Sequence, residues 1–514
     1  MDEEFPPLTP RRMAAFLIMV FGMFMAILDI QIVSASLPEI QAGLAAGPDD
    51  IGWVQTSYLI AEVVMIPLSG FLARVMSTRI LFALSAAGFT AASFMCATST
   101  SINEMILWRG VQGFMGGGMI PSVFAAAFTI FPPNRRTMVS PMIGLVATLA
   151  PTIGPTVGGY LSSALSWHWL FLVNVIPGIG VTLGAVLLID FDRPNWKLMR
   201  KFDWWGLIAL AAGLGALQYV LEEGPKDDWL QDRTVAILMV VMVVGGIVTL
   251  WRAFTRPEPV VDLSAFSNTN FLLGSLFSFV LGIGLYGLTY LYPLYLGQIR
   301  GYDSLMIGET VFVSGLAMFA TAPIAGILSA RVDPRLMLFA GFVGFATSTW
   351  MLTGLTADWD FRELLVPQIL RGMSLMLCMV PVNNLALGTL PRSKVQQASG
   401  LYNLMRNLGG AVGLATINTI LTDRSALHYQ RLSEAVNWAN AEAVAQIDTM
   451  QRALEARGIT DPAAAIAQMA QRVRGQASVM SFIDIFFLLA VLFGGLALSA
   501  VLMRKPQSSG GGGH

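Results

Sequence analysis

Charge is scarce in this chain. Only 12% of its 514 residues are Asp, Glu, Lys or Arg, against 55% hydrophobic residues, and the mean hydropathy is +0.65. A soluble protein of that composition would aggregate through its exposed apolar surface. Cysteine is nearly absent too. Cys96 and Cys378 both fall inside apolar runs, which gives no disulfide framework and no thiolate set for a metal, so they read as packing residues. A net charge of -1 with no basic block argues against a nucleic-acid partner. No G-x-x-x-x-G-K-[ST] run occurs, so the phosphate cradle of an ATP-driven pump is missing.

What the chain has instead is hydrophobic length. A spanning helix needs roughly 20 apolar residues, and about fourteen such segments can be placed, from Met13–Leu37 to Val479–Met503. Alternate connections carry the basic residues, among them Arg11, Arg12, Arg74, Arg79, Arg135, Arg136, Arg331, Arg335, Arg392, Lys394, Arg504 and Lys505. The opposite short connections hold only Lys226, Arg233, Arg300 and Arg362. By the positive-inside rule the basic side is cytoplasmic, which puts both termini there. The opening Met1–Arg12 has no cleavage site and leads into a run too long for a signal peptide, so 1–12 is expected to be a retained tail. Residues 504–514 read as a tail ending in an artificial Ser-Ser-Gly-Gly-Gly-Gly-His remnant.

The chain also repeats itself. Pro67, Gly70, Ala73 and Arg74 near the end of the second span return as Pro323, Gly326, Ala330 and Arg331 near the end of the tenth. Trp108-Arg109-Gly110, followed by Met119-Ile120-Pro121, is echoed by Leu370-Arg371-Gly372 and Met379-Val380-Pro381. Two six-helix bundles are therefore expected, at 13–190 and 271–503, with two inserted spans in 191–270. The expected fold class is an all-α polytopic membrane protein.

This arrangement resembles the fourteen-helix drug:proton antiporters of the major facilitator superfamily, in particular their EmrB-type branch. The likeness rests on Leu28-Asp29 with Leu37-Pro38 and on Arg109, Gln112 and Gly113 in the fourth span. It continues through Pro151, Gly154, Pro155, Gly158 and Gly159 in the fifth, Trp169 to Asn174 opening the sixth, and Asn403 to Gly410 in the thirteenth. The resemblance implies alternating access, no enzymatic activity, no cofactor and the proton as coupling ion. One motif departs from the family pattern: after Gly70, Arg74 stands where an acid is expected, which leaves the partners of the cytoplasmic gate open.

An ionisable side chain at mid-span costs about 2.5–3.5 kcal/mol, so each one needs a partner, water or a purpose. Asp29, Glu62 and Arg109 are the candidates for proton coupling. A carboxylate kept from bulk water can load and release a proton as water access changes. Two readings of Asp29 stay open and are compatible: a coupling acid, and a permanent ion pair with Arg109. Glu62 could carry a proton, meet a cationic substrate or sit neutral in a hydrogen bond. Arg109 and Gln112 share a helix face and could serve the proton site or simply glue helices. The candidates to line a substrate cavity are Gln31, Tyr58, Gln112, Tyr286, Tyr290, Asn403, Arg406 and Arg371, tyrosines offering faces to a cation. For the two arginines, ion pairing within the carboxy-terminal bundle is the alternative. Glu309 and Asp484, close to span ends, rank lower because charge there can snorkel. Gly70, Arg74, Gly113, Pro151, Gly154, Pro155, Gly158 and Gly159 are the conformational candidates. The fifth-span glycines suit a seam between halves, and its prolines a bend.

Residues 422–478 turn hydrophilic on the non-cytoplasmic side, with Ala435, Trp438, Val444, Ile447, Met450 and Leu454 at near-helical spacing and a stop and restart at Thr460-Asp461-Pro462. A helical hairpin outside the membrane is expected. It would dock a periplasmic adaptor and outer-membrane channel, as the resemblance implies, or form a lid on its own transporter. The expected function is proton-coupled antiport exporting amphipathic or cationic drugs and toxic compounds, in a multi-pass protein of a bacterial inner membrane. Alternatives are an exporter or flippase for one endogenous amphipathic metabolite or lipid and, more remotely, a membrane sensor or scaffold. A channel is disfavoured because no pore loop repeats.

Overall fold

The computed structural model describes residues 9–47, 50–132, 135–225, 229–256, 259–302, 304–437, 439–456, 458–459 and 461–502. Residues 1–8 of the expected tail, Lys226, Trp438, Thr460, Arg504, Lys505 and the rest of the closing tail lie outside them. The described residues are helical throughout, with no strand, as a lipid-spanning chain requires when every backbone polar group must be satisfied internally.

The first group comprises α1 (Pro10–Ala35), α2 (Leu37–Leu44), α3 (Trp53–Met76), α4 (Thr78–Thr98), α5 (Ile102–Gly117), α6 (Met119–Ile130), α7 (Arg136–Ala164), α8 (Trp169–Leu172) and α9 (Val175–Leu188). Then come α10 (Trp204–Glu223) and α11 (Arg233–Thr255). The second group comprises α12 (Thr269–Gln298), α13 (Ser304–Arg331), α14 (Pro334–Met351), α15 (Phe361–Leu387), α16 (Arg392–Ala435), α17 (Ala441–Glu455) and α18 (Pro462–Leu502). Several helix starts carry side-chain caps, α1 and α15 among them. Thr9 accepts from the Arg12 amide with Pro10 in the first turn, and Asp360 with Glu363 forms a reciprocal capping box on α15.

Within the first group α3 packs on α5 and α1 on α7, and within the second α12 packs on α16 and α14 on α15 and α18. The groups meet where α7 packs on α13 and where α16 packs on α3 and α6. Glycine makes one approach possible in each group. A Cβ on Gly113 would lie 2.2 Å from the Tyr58 carbonyl of α3, and one on Gly372 would lie 2.4 Å from the Ser314 carbonyl of α13.

Twelve helices among the described residues are long and apolar enough to span, thirteen with the bent α7 counted as one crossing. The further segment expected to span is the first part of α16, whose polar residues keep it outside that set. Helix α7 bends by 43° between Val139–Ala150 and Thr152–Ala164, where Pro151 removes a backbone donor.

The hydrophilic 422–478 segment is helical, with the expected stop and restart between α17, ending at Glu455, and α18, beginning at Pro462. Its flanks are continuations of α16, 44 residues and ~66 Å long, and α18, 41 residues and ~62 Å, both far beyond a ~30 Å hydrocarbon layer. Nothing in these helices breaks the helical pattern at the membrane surface, so they run on, and only α17 is separate. It packs on α18 through Met450, Ala465 and Met469, and Asp461 caps the α18 start by accepting from the Ala463 amide at 2.9 Å.

Candidate functional site

Asp29 is fully buried and fully bonded. Arg109 Nη1 donates to its Oδ2 at 2.6 Å, while Asn174 Nδ2 and Gln112 Nε2 donate to Oδ1 at 2.7 and 3.1 Å. The three donors come from α5 and from the break between α8 and α9, so the carboxylate ties three parts of the first group together. Arg109 is bonded through two of its three nitrogens, with Nη2 left without a partner among the described residues. Its Nε donates to the Val54 carbonyl, Nη1 also reaches Gln112, and its plane lies 4.3 Å from the Tyr58 ring centroid. Gln112 also donates to Ser93 Oγ at 2.6 Å. The ion-pair reading of Asp29 is thus the observed geometry. Tyr58 and Gln112, both expected in a substrate cavity, belong to this cluster instead, because the buried Arg109 draws their ring and amide.

Glu62 is the contrast. It is 3% exposed, no ion pair holds it, and its Oε1 has no hydrogen-bond partner among the described residues. It lines a cavity of about 420 Å³ between the two groups, to which α1 contributes Gln31, α3 Gln55, α7 Pro155 and α16 Asn407. Helix α12 adds Tyr286 and Tyr290, and Tyr286 donates to Asn407 Oδ1 at 3.3 Å. Gln31, Tyr286 and Tyr290 thus line one cavity together. Gln55, Gln218 and Asn407 are lining residues the sequence did not single out, although amides within apolar runs are a visible signal.

Arg371, Asn403 and Arg406 do not line this cavity. Arg371 is fully buried, donates to Thr289 Oγ1 at 2.6 Å and lies over the Tyr292 ring at 5.4 Å. Arg406 donates to Asn403 Oδ1 at 2.6 Å and faces the Phe124 ring of α6 at 5.2 Å. The alternative of ion pairing does not hold for either among the described residues: their contacts are a hydroxyl, an amide and aromatic faces. Asp484 accepts from His428 Nε2 at 2.9 Å and pairs with Arg424 at 3.6 Å, whereas Glu309 is exposed. No group of metal ligands exists among the described residues.

At the basic face, the missing acid of the Gly70 loop is supplied from elsewhere. Asp192, following α9, accepts from the Thr78 amide at 2.9 Å, the Thr78 hydroxyl at 2.7 Å and Gln396 of α16 at 3.1 Å. It also sits at the positive start of α4. Beside it, with the Gln397 amide assigned the orientation that suits both neighbours, its oxygen accepts from Arg74 at 2.6 Å and its nitrogen reaches Asp262 at 3.3 Å. Gly70 allows the contact, since a Cβ there would lie 2.8 Å from the Gln397 Cα.

The fifth-span glycines face their own group. A Cβ on Gly154 would meet Gln31 Cβ at 2.3 Å, and one on Gly158 the Ile32 carbonyl at 2.7 Å, both in α1. The expected seam between halves is carried by other α7 residues, Ser140 bonding Asn384 and Thr156 lying against Gly308. Gly159 is half-buried, and the Pro151 side chain lies outside the described residues.

Residues 19–414 match the family model described as Major Facilitator Superfamily. The chain is 42% identical over 497 residues to the colistin resistance protein EmrB of Acinetobacter baumannii, covering 96% of each. It is 31% identical over 491 residues to the multidrug export protein EmrB of Escherichia coli, covering 95% of this chain and 94% of that one. The fatty acid resistance protein FarB of Neisseria gonorrhoeae is 29% identical, over 99% of this chain and 100% of its own. Among solved structures, the human organic anion transporter MFSD10 shares the fold with a TM-score of 0.59 at 13% identity, covering 95% of this chain and 100% of that one. A multi-pass helical protein with these relatives and this sequence match belongs to the Major Facilitator Superfamily, and is a membrane transporter rather than an enzyme.

Proposed function

We propose that the chain is a proton-coupled exporter of amphipathic, chiefly cationic, toxic compounds, working by alternating access in a bacterial inner membrane with both termini cytoplasmic. On this reading there are fourteen crossings, the first part of α16 among them. The observation that carries the reading is Glu62: a buried carboxylate with an unpartnered oxygen in a cavity between two helix groups, flanked by the faces of Tyr286 and Tyr290. An unpaired buried charge is costly, so Glu62 is stable only with a cation or a proton beside it. Those are the two occupants an antiporter must exchange. A proton arriving from outside displaces the cation; its release inward restores the site. Asp29, held by Arg109, Gln112 and Asn174, supplies a second place where protonation would alter a bond, freeing Arg109 as the groups move. The names of the EmrB relatives support efflux. The ends of α16 and α18 with α17 are the surface this reading gives to a periplasmic adaptor and, through it, an outer-membrane channel.

The test uses the full chain in proteoliposomes under an imposed pH gradient, with a fluorescent cation. Transport should follow the gradient and stop in Glu62→Gln. Unchanged transport in Glu62→Gln and Asp29→Asn together would overturn the coupling assignment.

A second reading, export of one amphipathic anion or lipid, is favoured by Arg371 and Arg406, which have no acid against them among the described residues, and by the name of FarB. Uptake of a fluorescent fatty acid or phospholipid with no uptake of cations would select it.

A further inference from the structure

The two inserted helices are not equivalent. Helix α11 is largely exposed, burying only Val235 and Gly245, and packs chiefly on α10. Helix α10 packs on α3 of the first group and α16 of the second, so it stands across the gap between them. The Trp53 ring of α3 lies tilted against Tyr219, centroids 5.4 Å apart, and holds the rotation of α10 at that level. Gln218 is thereby turned inward. It is 8% exposed, lines the same cavity as Glu62 and Gln55, and donates one long hydrogen bond, 3.4 Å, to Glu222.

From Trp204 to Val220 the helix is otherwise apolar apart from Tyr219, and a buried amide in the last third of the span is unfavourable without a use. The cavity supplies one. Glu62 Oε1 and Gln55 Oε1 are both buried acceptors without a partner among the described residues, and both belong to the wall beside Gln218. Two orphaned acceptors call for donors, and an amide can add either a donor or an acceptor to them.

We propose that α10 is one wall of the substrate cavity and that Gln218 is a specificity-determining residue. With Gln55 it selects cations that bring N–H donors to the carboxylate of Glu62. The inference rests on the transport reading for its biological role but not for its binding geometry. The inserted pair is then more than a peripheral addition: α10 reads substrate and α11 braces it.

The experiment compares ethidium, an aromatic cation with two amino groups, and tetraphenylphosphonium, a cation with no N–H. Both are measured by gradient-driven transport in proteoliposomes and by equilibrium binding in detergent. In Gln218→Leu and in Gln55→Leu the ethidium KM and Kd should rise about three- to tenfold, the loss of one hydrogen bond. The values for tetraphenylphosphonium should stay unchanged, which also shows that the variants fold; Gln218→Met repeats the test at a different shape. Equal change for both cations, or none for either, would overturn the inference. Selective loss of ethidium binding with no transport by any form would remove the transport reading and leave the binding inference standing.

Discussion

Arg109 of α5 and Arg371 of α15 stand at matching points of the internal repeat, and both are fully buried. Their surroundings differ in one decisive respect. Arg109 meets the carboxylate of Asp29 in α1, itself held by two amides, whereas Arg371 meets only the hydroxyl of Thr289 in α12 and the face of Tyr292. Two of its donors, Nε and Nη1, have no partner among the described residues. The scaffold was duplicated but the acid was not kept on both sides, so groups able to change charge are concentrated in the first group. The second holds fixed positive charge. A transporter that couples ion movement to rocking of one group against the other needs this inequality, since two identical groups would respond alike.

The largest effect should come from removing the acid. Asp29→Asn leaves Arg109 buried without its counter-charge, which typically costs about 3–5 kcal/mol. Unfolding in detergent should show that loss, and Asp29→Asn with Arg109→Gln should recover most of it while transport stays impaired. By comparison, Thr289→Ala removes one neutral acceptor from Arg371 and should cost about 1–3 kcal/mol. If the two single variants proved equally stable, the claimed difference between the groups would be gone.

Glu62→Gln sharpens the same comparison from the other direction. It has no partner to orphan, so the melting temperature should hardly move, while gradient-driven transport should fall at least about tenfold, the scale of a lost proton-transfer group. Counterflow exchange of the cation without a gradient should fall as well, because the same carboxylate holds the substrate. A large drop in stability would show that Glu62 is structural like Asp29.

Much of this architecture was legible in the sequence because bilayer solvation is an unforgiving filter. Runs of apolar residues, the basic connections and the echo of Arg109 in Arg371 all follow from the cost of polar groups in hydrocarbon. Pairings were not legible, since they depend on helix rotation. Nothing in the spacing of Asn174 or Ser93 says that they converge on Asp29 and Gln112. The same limit hid Gln218, which a hydropathy scan assigns to a peripheral helix, and misdirected Gly154 and Gly158, whose stripe faces α1 rather than the other group. The length of α16 and α18 was hidden for another reason: a helix that continues into water loses its apolar signal at the surface and looks like a loop.

A smaller effect is expected at the basic face, where the groups meet through polar contacts. Asp192→Asn keeps an acceptor for Thr78 but removes the negative charge at the start of α4, worth about 0.3–1 kcal/mol. Gly70→Val is more intrusive, because its Cβ must displace the α16 backbone at Gln397. Both should raise thiol labelling of a cysteine placed in the inner part of α16, Gly70→Val more strongly, if this contact holds that face shut. Unaltered labelling would mean that closure rests on the apolar packing of Phe124 and Tyr402 instead.

The smallest effect belongs to the inserted pair. Asp203 caps α10 and is gripped by Arg252 of α11, whose Nε lies 2.8 and 2.9 Å from its two oxygens. Burial pushes the Asp203 carboxyl up, but hydrogen bonds from Arg252 and the Gly206 amide outweigh it and hold the carboxyl below its ordinary value. A depressed acid stabilises the folded arrangement above its unfolded pKa of about 4, and that contribution fades as pH falls through the lower folded value. Cross-linking between cysteines on α10 and α11 should therefore be constant from neutral pH down to about pH 4 and weaken only below it. In Arg252→Gln the acid loses its main partner, and the weakening should begin at higher pH. Because α11 braces α10 and α10 carries Gln218, ethidium affinity should fall slightly in Arg252→Gln while Asp29 and Glu62 are untouched. An unchanged pH profile in that variant would show that the close approach of Gly213 and Gly245, not the ion pair, holds the two helices together.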